Sequence, residues 1–487
     1  MMRMTWSVAD SSSVLELYKM SSKQYVIKTL GCKANWYDSQ WVESQLQENE
    51  WVPAHATEDR PEEVALCIVN SCTVTNEADK QSRSMAKRLS KKYPHAKVVF
   101  TGCGAEVNPE KIARSAGVDF VVGNQDKSRL AHLIDGATTE KILGNVTPYQ
   151  NLLSKHPMDR EWSVPESAFM RLQPVQTERT RAFLKIQEGC DAFCTYCIIP
   201  YGRGPARSLS IDSILRQIQH LSHAGVREVV LTGTNIGDYG TDASGGRRLL
   251  VELVSEILEK TRIERLRVSS LDPVEAEEGL IRLMKQDARF CPHFHISLQS
   301  PHDKVLRLMK RRYKLENIRE SLFRISSTQN PTFLRPFIGM DIITGFPGEG
   351  SDEFEEGLQT LRDLPWDRLH VFPYSEREGT PATRLPGVVP QNIRLERSRI
   401  LNQFSFERLQ ERYRDPNDKI FRQVLIEGPT RGPDGQPTWW GGYTPDYTRV
   451  MVRSETSELE NQIIDVRGKE LLLNRAAGEI AVIGEVL

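Results

Sequence analysis

The sequence predicts a mixed α/β protein in three parts, and three patterns support that prediction. Between residues 23 and 138, short apolar runs alternate with amphipathic stretches, as in a small doubly wound α/β domain. Six further apolar runs lie between residues 176 and 415 and predict a partial, TIM-like (β/α)6 barrel. From residue 416 to 487 the runs are shorter and are separated by Gly and Pro, which predicts a small antiparallel β-barrel.

Two segments lie outside these three domains. Residues 1–22 are interpreted as an unstructured extension, and a mis-assigned start, with Met20 as the true one, is the less favoured alternative. Residues 139–175 carry several Pro, Ser and Asn residues without clear periodicity, so they are interpreted as a linker.

Composition limits the cellular setting. The chain has 487 residues and a formal net charge of -1, so any contact with a polyanion is expected to be local. No apolar run approaches the roughly 18 residues of a membrane helix, and the N-terminus lacks a signal-peptide pattern. The sequence therefore predicts a cytoplasmic protein without a membrane partner. In such a reducing compartment the eight cysteines are expected to be metal ligands or core thiols rather than disulfides.

Three cysteines follow strands of the N-terminal domain. The predicted strands are Tyr25 to Leu30, Leu66 to Asn70, Val98 to Thr101 and Phe120 to Val122, and the predicted helices include Ser39 to Glu48 and Glu77 to Tyr93. Cys32, Cys72 and Cys103 come just after the first three strands. Because sites in open α/β sheets gather beyond the carboxyl ends of strands, these thiols are expected to converge. Three ordinary buried thiols are the alternative.

A second group of three cysteines follows the first strand of the central domain. The predicted strands there are Ala182 to Gln187, Glu228 to Thr232, Leu266 to Ser270, Phe294 to Leu298, Phe337 to Thr344 and Leu369 to Tyr374. Cys190, Cys194 and Cys197 are spaced by four and three residues and have no fourth cysteine nearby. The set favours an iron-sulfur cluster with one iron left open. A structural zinc site or a chance grouping of core thiols remains the alternative.

The residues around these cysteines resemble a known family. The motif Cys190-x-x-x-Cys194-x-x-Cys197, followed by Ile198-Ile199-Pro200-Tyr201-Gly202-Arg203-Gly204, is similar to the signature of radical S-adenosylmethionine (SAM) enzymes, specifically the methylthiotransferases. In that family SAM chelates the open iron, and an electron from the cluster cleaves SAM to a 5′-deoxyadenosyl radical. The contexts of Cys32, Cys72 and Cys103 resemble the family's N-terminal domain, whose three cysteines hold a second 4Fe-4S cluster.

The resemblance implies cofactors and site residues. Two 4Fe-4S clusters and SAM are expected, with the deoxyadenosyl radical removing hydrogen from carbon-2 of an adenine. Sulfur would be delivered from the N-terminal cluster, and a second SAM would provide the methyl group. The resemblance assigns SAM binding to residues at or near strand ends, namely Thr234, Asn235, Ser270, Gln299 and Arg311.

The substrate expected from the resemblance is a modified adenosine in tRNA. The segments Gly31 to Asn35, Phe193 to Cys197 and Arg203 to Ser208 look like the branch that acts on N6-threonylcarbamoyladenosine (t6A) at position 37. The nearest alternatives are isopentenyladenosine in tRNA and an aspartate of a ribosomal protein. Expected partners are a tRNA anticodon stem-loop and an electron donor of the flavodoxin or ferredoxin type, while the sulfur donor is left open. Arg203 or Arg207 is expected to read the carboxylate of the threonylcarbamoyl group.

Alternatives from another class are an RNA-binding protein whose iron-sulfur clusters are only structural or redox-sensing, and a zinc-binding RNA adaptor. The segment Gly442 to Val450 resembles the RNA-binding TRAM domain, yet residues 416–487 carry eight Lys or Arg against eleven Asp or Glu. Binding there would therefore depend on a local patch of arginines and aromatic rings, unless the rings belong to the core. The patch consists of Arg431, Trp439, Trp440, Tyr443, Tyr447, Arg449 and Arg453.

Three further features allow both a structural and a functional interpretation. The basic stretches Lys80 to Lys97 and Lys304 to Arg324 are either solvated helix faces or tracks for phosphates. Cys291, His293 and His295 alternate along one predicted strand and share a face, where barrel packing or substrate lining requires fewer assumptions than a metal site.

Overall fold

The computed structural model describes residues 23–54, 62–135, 140–144, 180–241, 246–328, 335–432, 438–455 and 457–487. The predicted extension at residues 1–22 lies outside the described residues, as does the predicted linker from residue 145 to 175. Within these ranges, no helix combines the length and the apolar character needed to cross a membrane.

The N-terminal part is a six-stranded parallel sheet. Its strands are β1 (Gln24–Thr29), β2 (Val52–Pro53), β3 (Val64–Ser71), β4 (Lys97–Gly102), β5 (Phe120–Val122) and β6 (Ile142–Leu143), in the order β2-β1-β3-β4-β5-β6. Its helices are α1 (Lys33–Glu48), α2 (Asn76–Lys92), α3 (Cys103–Val107), α4 (Pro109–Ala113) and α5 (Leu130–Asp135). The four predicted strands are present, and the two short outer strands β2 and β6 were not predicted.

Apolar side chains are buried on both faces of this sheet. In β3, Cys67 and Val69 pack in one core with Leu89 of α2, whereas Leu66 and Ile68 pack in the other core with α1. A strand that is buried on both faces needs apolar residues at successive positions, which is why β3 reads as a continuous apolar run. The doubly wound α/β prediction is confirmed.

The central part consists of two four-stranded sheets that together form the partial barrel. Strands β7 (Arg181–Glu188), β8 (Arg207–Ser208), β9 (Glu228–Gly233) and β10 (Arg265–Val268) form one sheet, in the order β10-β9-β7-β8. Strands β11 (Ser270–Leu271), β12 (His293–Gln299), β13 (Phe337–Thr344) and β14 (Arg368–Pro373) form the other, in chain order. The predicted strand Leu266 to Ser270 is thus divided at Ser269 between the two sheets.

Helices alternate with these strands, as a barrel of β/α units requires. They are α6 (Ile199–Arg203), α7 (Ile211–His223), α8 (Leu250–Lys260), α9 (Glu278–Gln286), α10 (Asp303–Leu308), α11 (Leu315–Ser326), α12 (Ser351–Asp363) and α13 (Gln391–Arg412). Along β12 the alternating residues Phe294, Ile296 and Leu298 are buried, while His295 and Gln299 lie on the opposite, partly exposed face. The strand therefore packs on one face and presents polar side chains on the other.

The C-terminal part is a closed barrel of five strands. They are β15 (Ile420–Thr430), β16 (Trp439–Tyr443), β17 (Arg449–Arg453), β18 (Ile463–Asn474) and β19 (Glu479–Val486), in the order β15-β16-β17-β19-β18. Neighbouring strands are antiparallel except β17 and β19, which are parallel. The predicted small barrel is confirmed, with one parallel pair that the sequence pattern did not indicate.

Candidate functional site

The loop that carries Cys190, Cys194 and Cys197 follows β7 and is held by backbone hydrogen bonds. The amide of Cys190 donates to the carbonyl of Gly204 (3.0 Å), and the amide of Cys197 donates to the carbonyl of Cys194 (3.0 Å). Gly189 begins the loop with φ +76°, and a Cβ there would lie 1.8 Å from a backbone carbonyl oxygen. Only glycine fits at that position, so the sequence fixes the direction in which the loop leaves the strand.

The three thiols of this loop are close enough to influence one another. Burial, followed by the neighbouring Cys194, raises the pKa of Cys190 to about 12. Burial, followed by Cys194 and Cys190, also raises the pKa of Cys197 above its ordinary value. Cys190 and Cys197 are therefore thiols at neutral pH. An iron cluster binds thiolates, so loading this site would release protons.

A chain of hydrogen bonds joins Cys194 to residues predicted to bind SAM. Arg311 Nη1 donates to the Sγ of Cys194 at 3.1 Å, and Arg311 Nη2 donates to Asp272. The amide of Asp272 donates to Glu275 Oε2 at 2.7 Å, and Asn235 Nδ2 donates to Glu275 Oε1 at 3.3 Å. Residues from four separate loops are thereby brought into one network at the carboxyl ends of the barrel strands.

Three of the predicted SAM-binding side chains are not used by this network. The Oγ1 of Thr234 is buried and has no hydrogen-bond partner among the described residues. Ser270 lies in β11, the short strand whose carboxyl end leads to Asp272. Gln299 ends β12 with φ +65°, in the left-handed region that costs a residue other than glycine about 1 kcal/mol or more. The unpaired hydroxyl of Thr234 and the strained backbone of Gln299 both lie at the carboxyl ends of the barrel strands, where they fit a polar ligand.

Three carboxylates at this site were not singled out from the sequence. Asp238 Oδ2 accepts from Asn235 Nδ2 at 2.8 Å and from Arg312 Nη1 at 3.1 Å. Burial, followed by the neighbouring Asp272, raises the pKa of Glu275 to about 7. Asp272 lies two residues beyond the predicted strand Leu266 to Ser270, and the sequence pattern assigned it no role. Each carboxylate also has a partner from another loop: Arg312 for Asp238, Arg311 for Asp272 and Asn235 for Glu275. Spacing along the chain carries no signal for these long-range contacts.

The N-terminal cysteines lie at the carboxyl ends of three adjacent parallel strands, β1, β3 and β4. A Cβ on Gly31 would lie 2.7 Å from the Sγ of Cys72, so the loop that carries Cys32 packs directly against Cys72. The amide of Gly104, next to Cys103, donates to the Ser71 Oγ at 3.1 Å. The loop that carries Cys103 is therefore tied to the end of β3. These contacts bring the three cysteine loops together at one edge of the sheet.

A side-chain amide and a buried carboxylate lie close to Cys103 of this N-terminal set. Asn124 Nδ2 lies 3.7 Å from the Sγ of Cys103 in hydrogen-bond geometry, and the Asn124 amide donates to Glu106 Oε2 at 2.7 Å. Cys32 is exposed, while Cys72 and Cys103 are buried. One side of the set is therefore accessible from solvent.

The number of thiols in each cysteine set fits a 4Fe-4S cluster with one open iron. In the part of the chain that the structure describes, which includes all eight cysteines, no group of three His, Cys, Asp or Glu side chains is arranged to hold a single metal ion. The thiolates of a 4Fe-4S cube bind different irons and need not converge on a single point. Three thiols and an adjacent polar mouth at the central site fit a cluster with a ligand on its open iron.

The predicted readers of the carboxylate are engaged inside the protein. Arg203 is 1% exposed, and its Nη1 lies 2.6 Å from Glu188 Oε1. Arg207 Nη2 lies 3.2 Å from Glu188 Oε2, and Arg207 Nη1 donates to the carbonyl of Arg203 at 3.0 Å. Prediction of Arg203 as a substrate contact is wrong, because its guanidinium neutralises a buried carboxylate beneath the cysteine loop. Arg207 helps to neutralise the same group.

The aromatic residues of the C-terminal barrel are packed rather than presented to solvent. Trp439 and Trp440 are 9% and 7% exposed. Tyr443 and Tyr447 stack on each other at 4.6 Å, and Arg267 lies 4.7 Å from the ring of Tyr447. Of the two interpretations of these rings, the structure supports the packing role.

The stack lies at the amino-terminal end of the central strands, where charges are buried. Glu228 is fully buried, between Arg265 Nη2 at 2.7 Å and Arg267 Nε at 2.9 Å. Burial alone would raise its pKa, but Arg265, Arg267 and Arg181 together lower the pKa of Glu228 to about 2. The Nη1 of Arg265 also donates to the carbonyl of Tyr443 at 2.9 Å. These contacts attach the C-terminal barrel to the central one.

The two basic stretches and the strand that carries His295 are the remaining features that the sequence analysis left with two interpretations. In the stretch Lys304 to Arg324, Arg311 and Arg312 pair with carboxylates of the site, so the stretch is not an uninterrupted phosphate track. Along α2 the lysines are exposed, which leaves both of its interpretations open. His295 Nε2 lies 2.8 Å from Asp341 Oδ1, and its ring stacks on His370 at 5.0 Å. This arrangement fits the packing or lining role.

Comparison with known proteins places these observations in a family. Residues 184–361 match the Radical SAM superfamily, and residues 24–123 match Uncharacterized protein family UPF0004. The chain is 37% identical over 405 residues to the threonylcarbamoyladenosine tRNA methylthiotransferase MtaB of Rickettsia prowazekii, which covers 82% of this chain and 87% of that protein. It is 30% identical over 471 residues to the tRNA-2-methylthio-N(6)-dimethylallyladenosine synthase of Hahella chejuensis, with coverages of 94% and 98%.

A solved structure supports the fold. The radical SAM methyltransferase TsrM from Kitasatospora setae, solved with cobalamin and a [4Fe-4S] cluster, superposes with a TM-score of 0.51 at 14% identity. The match covers 74% of this chain and 77% of that one. Identity this low indicates a shared fold and nothing about substrate.

Proposed function

The chain belongs to the radical SAM methylthiotransferases, and on that premise we propose that it converts t6A at position 37 of tRNA to 2-methylthio-t6A. The observation that carries this proposal is the presence of two separate three-cysteine sets, each at the carboxyl ends of parallel strands. One set lies beside a polar mouth suited to SAM. A purely structural cluster has no use for an open position at both sites.

We assign the two sets to two 4Fe-4S clusters. Cys190, Cys194 and Cys197 would hold the cluster that binds SAM, and Cys32, Cys72 and Cys103 would hold the second one. When bound, these groups supply the electron that cleaves SAM and the sulfur for transfer. The division of the chain that accompanies this assignment is an N-terminal domain at 23–138, a linker at 139–175, a radical SAM core at 176–415 and a TRAM domain at 416–487.

The residues at the mouth of the barrel would bind and orient SAM. The unpaired hydroxyl of Thr234 supports a hydrogen bond to the ligand, and Ser270 and Gln299 lie at neighbouring strand ends. Asn235 and Arg311 are held by carboxylates, so they act from fixed positions. The positive charge of Arg311, 3.1 Å from Cys194, offsets the charge of a cluster thiolate.

The substrate assignment follows the relatives. The methylthiotransferase of Rickettsia prowazekii, named for threonylcarbamoyladenosine tRNA, is 37% identical, whereas the named dimethylallyladenosine synthase is 30% identical over a longer alignment. We therefore propose a tRNA anticodon stem-loop as the partner, an electron donor of the flavodoxin or ferredoxin type, and the cytoplasm as the site of action.

Nucleoside mass spectrometry tests the proposal. The anaerobically reconstituted protein is incubated with SAM, reductant and sulfide, and with two tRNA pools that bear either t6A or isopentenyladenosine. A methylthio product from the t6A pool only is expected. Product from the other pool alone would keep the reaction and overturn the substrate. No product from either pool, by a protein that cleaves SAM, would overturn tRNA as the substrate and direct attention to the ribosomal protein.

A further inference from the structure

A cleft of about 510 Å³ lies between the central and C-terminal barrels. Strand β14, helix α13 and the turn between β18 and β19 form its walls. Its lining includes Arg368, Arg399, Arg475 and His370, and no Asp or Glu. Because the whole chain is nearly neutral, with 64 basic and 65 acidic residues, a wall with arginines and without carboxylates is a local departure that favours an anionic ligand.

Two of these arginines are available to a ligand. Arg368 is partly buried and has no hydrogen-bond or ion-pair partner among the described residues. Arg475 is exposed, and its guanidinium lies 5.4 Å from the ring of Phe406, a contact that leaves its N–H donors free to bind. Arg399 is paired with Glu396 on the exposed surface of α13, so a phosphate would have to exchange with that carboxylate.

The turn between β18 and β19 holds Arg475 in place. The side chain of Asn474 accepts from the amide of Ala477 at 3.1 Å, and Gly478 completes the turn with φ +63°. Ala476 and Ala477, the two residues between Arg475 and Gly478, are small, exposed and part of the lining. The turn therefore presents the guanidinium of Arg475 beside the small, exposed side chains of Ala476 and Ala477.

The other end of the cleft carries an aromatic ring. Phe372 is 47% exposed, although it belongs to a β-strand. From Arg368 to Phe372 the strand extends by about 13 Å at about 3.3 Å per residue, which is longer than one phosphate group. Cations at one end and a ring face at the other match the alternation of phosphates and bases in a single strand of nucleic acid.

We propose that this cleft binds a single-stranded segment of the RNA substrate, with phosphates paired to Arg368 and Arg475 and a base stacked on Phe372. The proposal rests on the proposed function, because it takes the tRNA loop as the ligand. The ring of His370 in the floor stacks on His295, whose strand ends at Gln299. The cleft is therefore next to the face of β12 that carries His295 and ends at Gln299, one of the residues proposed to bind SAM.

Fluorescence anisotropy with the full-length protein and a labelled anticodon stem-loop RNA tests the cleft. Arg368→Gln and Arg475→Gln are each expected to lower the slope of log affinity against log salt by about 0.7, and to weaken binding about fourfold near 0.15 M salt. Phe372→Ala is expected to weaken binding about tenfold with little change in the salt slope. The matched control is Arg362→Gln, which removes an exposed arginine of α12 outside the cleft.

Weaker binding by the arginine variants could also result from misfolding, so a variant that adds a positive charge provides a second test. Ala476→Lys deletes no contact and is expected to tighten RNA binding and steepen its salt dependence. Unchanged affinity in both arginine variants and in Ala476→Lys, while the wild type still makes methylthio product, would overturn the cleft alone. Absence of product from wild type with an RNA-binding defect in the cleft variants would instead overturn the proposed reaction and keep the cleft.

Discussion

The two cysteine sets have the same place in their sheets and different electrostatic surroundings. At the central set, the guanidinium of Arg311 lies 3.1 Å from Cys194 and connects it to the carboxylate of Asp272. At the N-terminal set, the neutral side-chain amide of Asn124 lies 3.7 Å from the Sγ of Cys103. In both domains the thiols follow the carboxyl ends of parallel strands. The side chains beside them differ, with a guanidinium at Cys194 and a neutral amide at Cys103.

The side-chain contacts at the end of β7 and those at the end of β3 also differ in charge. Under the central loop, the buried Glu188 pairs with Arg203 at 2.6 Å and with Lys185 at 3.2 Å. At the N-terminal site, Asn70 Nδ2 donates to the carbonyl of Asn35 at 2.7 Å and to Ser39 Oγ at 2.9 Å. Deleting one member of a buried ion pair leaves an uncompensated charge, whereas deleting an amide leaves only unpaired dipoles. The central site is therefore expected to tolerate substitution less well.

The largest expected effect separates the roles of the two sets. Cys194→Ala and Cys72→Ala should each abolish methylthio product and lower the iron content to about half, because each removes a ligand of one cluster. Only Cys72→Ala should still form 5′-deoxyadenosine from SAM. Iron analysis and product chromatography measure both results. The matched control is Cys67→Ala, which removes a buried core thiol, and iron loss there would contradict the assignment of ligands.

A second comparison concerns stability. Glu188→Gln leaves the Arg203 charge buried without its carboxylate and is expected to lower the local unfolding free energy by about 3–5 kcal/mol. Asn70→Ala, at the N-terminal site, is expected to cost about 1–3 kcal/mol. Hydrogen exchange of β7 and β3 in the metal-free protein reports the two regions separately. Equal losses would remove the distinction between ionic and neutral frameworks.

The central site should also show a pH dependence. Glu275 has a pKa of about 7 in the folded protein, raised by burial and then by Asp272, against about 4.5 when unfolded. Between these values the folded state keeps a proton that the unfolded state releases, so stability falls as pH rises through that window. The loss should not exceed about 3 kcal/mol. Urea unfolding of wild type and Glu275→Gln at several pH values measures it, and a slope that survives the substitution would assign it elsewhere.

The smallest expected effect lies in cluster potentials. Arg311→Gln removes a positive charge beside Cys194 and is expected to lower the reduction potential of the central cluster. Asn124→Ala removes only a weak, neutral donor and is expected to shift the N-terminal cluster less. Potentiometric titration followed by electron paramagnetic resonance measures both clusters. A larger shift for Asn124→Ala would reverse the comparison.

Much of the site's location could be predicted from the sequence because its signals are local. Cysteines that directly follow apolar strands must lie at the strand ends, so Cys32, Cys72, Cys103 and the Cys190 loop were correctly placed there. The prediction that proved wrong concerned an arginine, Arg203. A guanidinium reaches several ångströms from its backbone, so chain position alone does not show whether Arg203 faces solvent or a buried Glu188.

The sequence by itself determined the three-part α/β architecture and the two sets of three cysteines, since periodicity and spacing are properties of neighbouring residues. Only the tertiary structure decided which side chains contact one another. It placed Asp272 beside Arg311, and it packed Tyr447 against Arg267. It also joined β14 with a distant turn to form a cleft without carboxylates. Each of these depends on segments far apart in the chain, whose meeting is fixed by packing of the whole barrel and not by any local pattern.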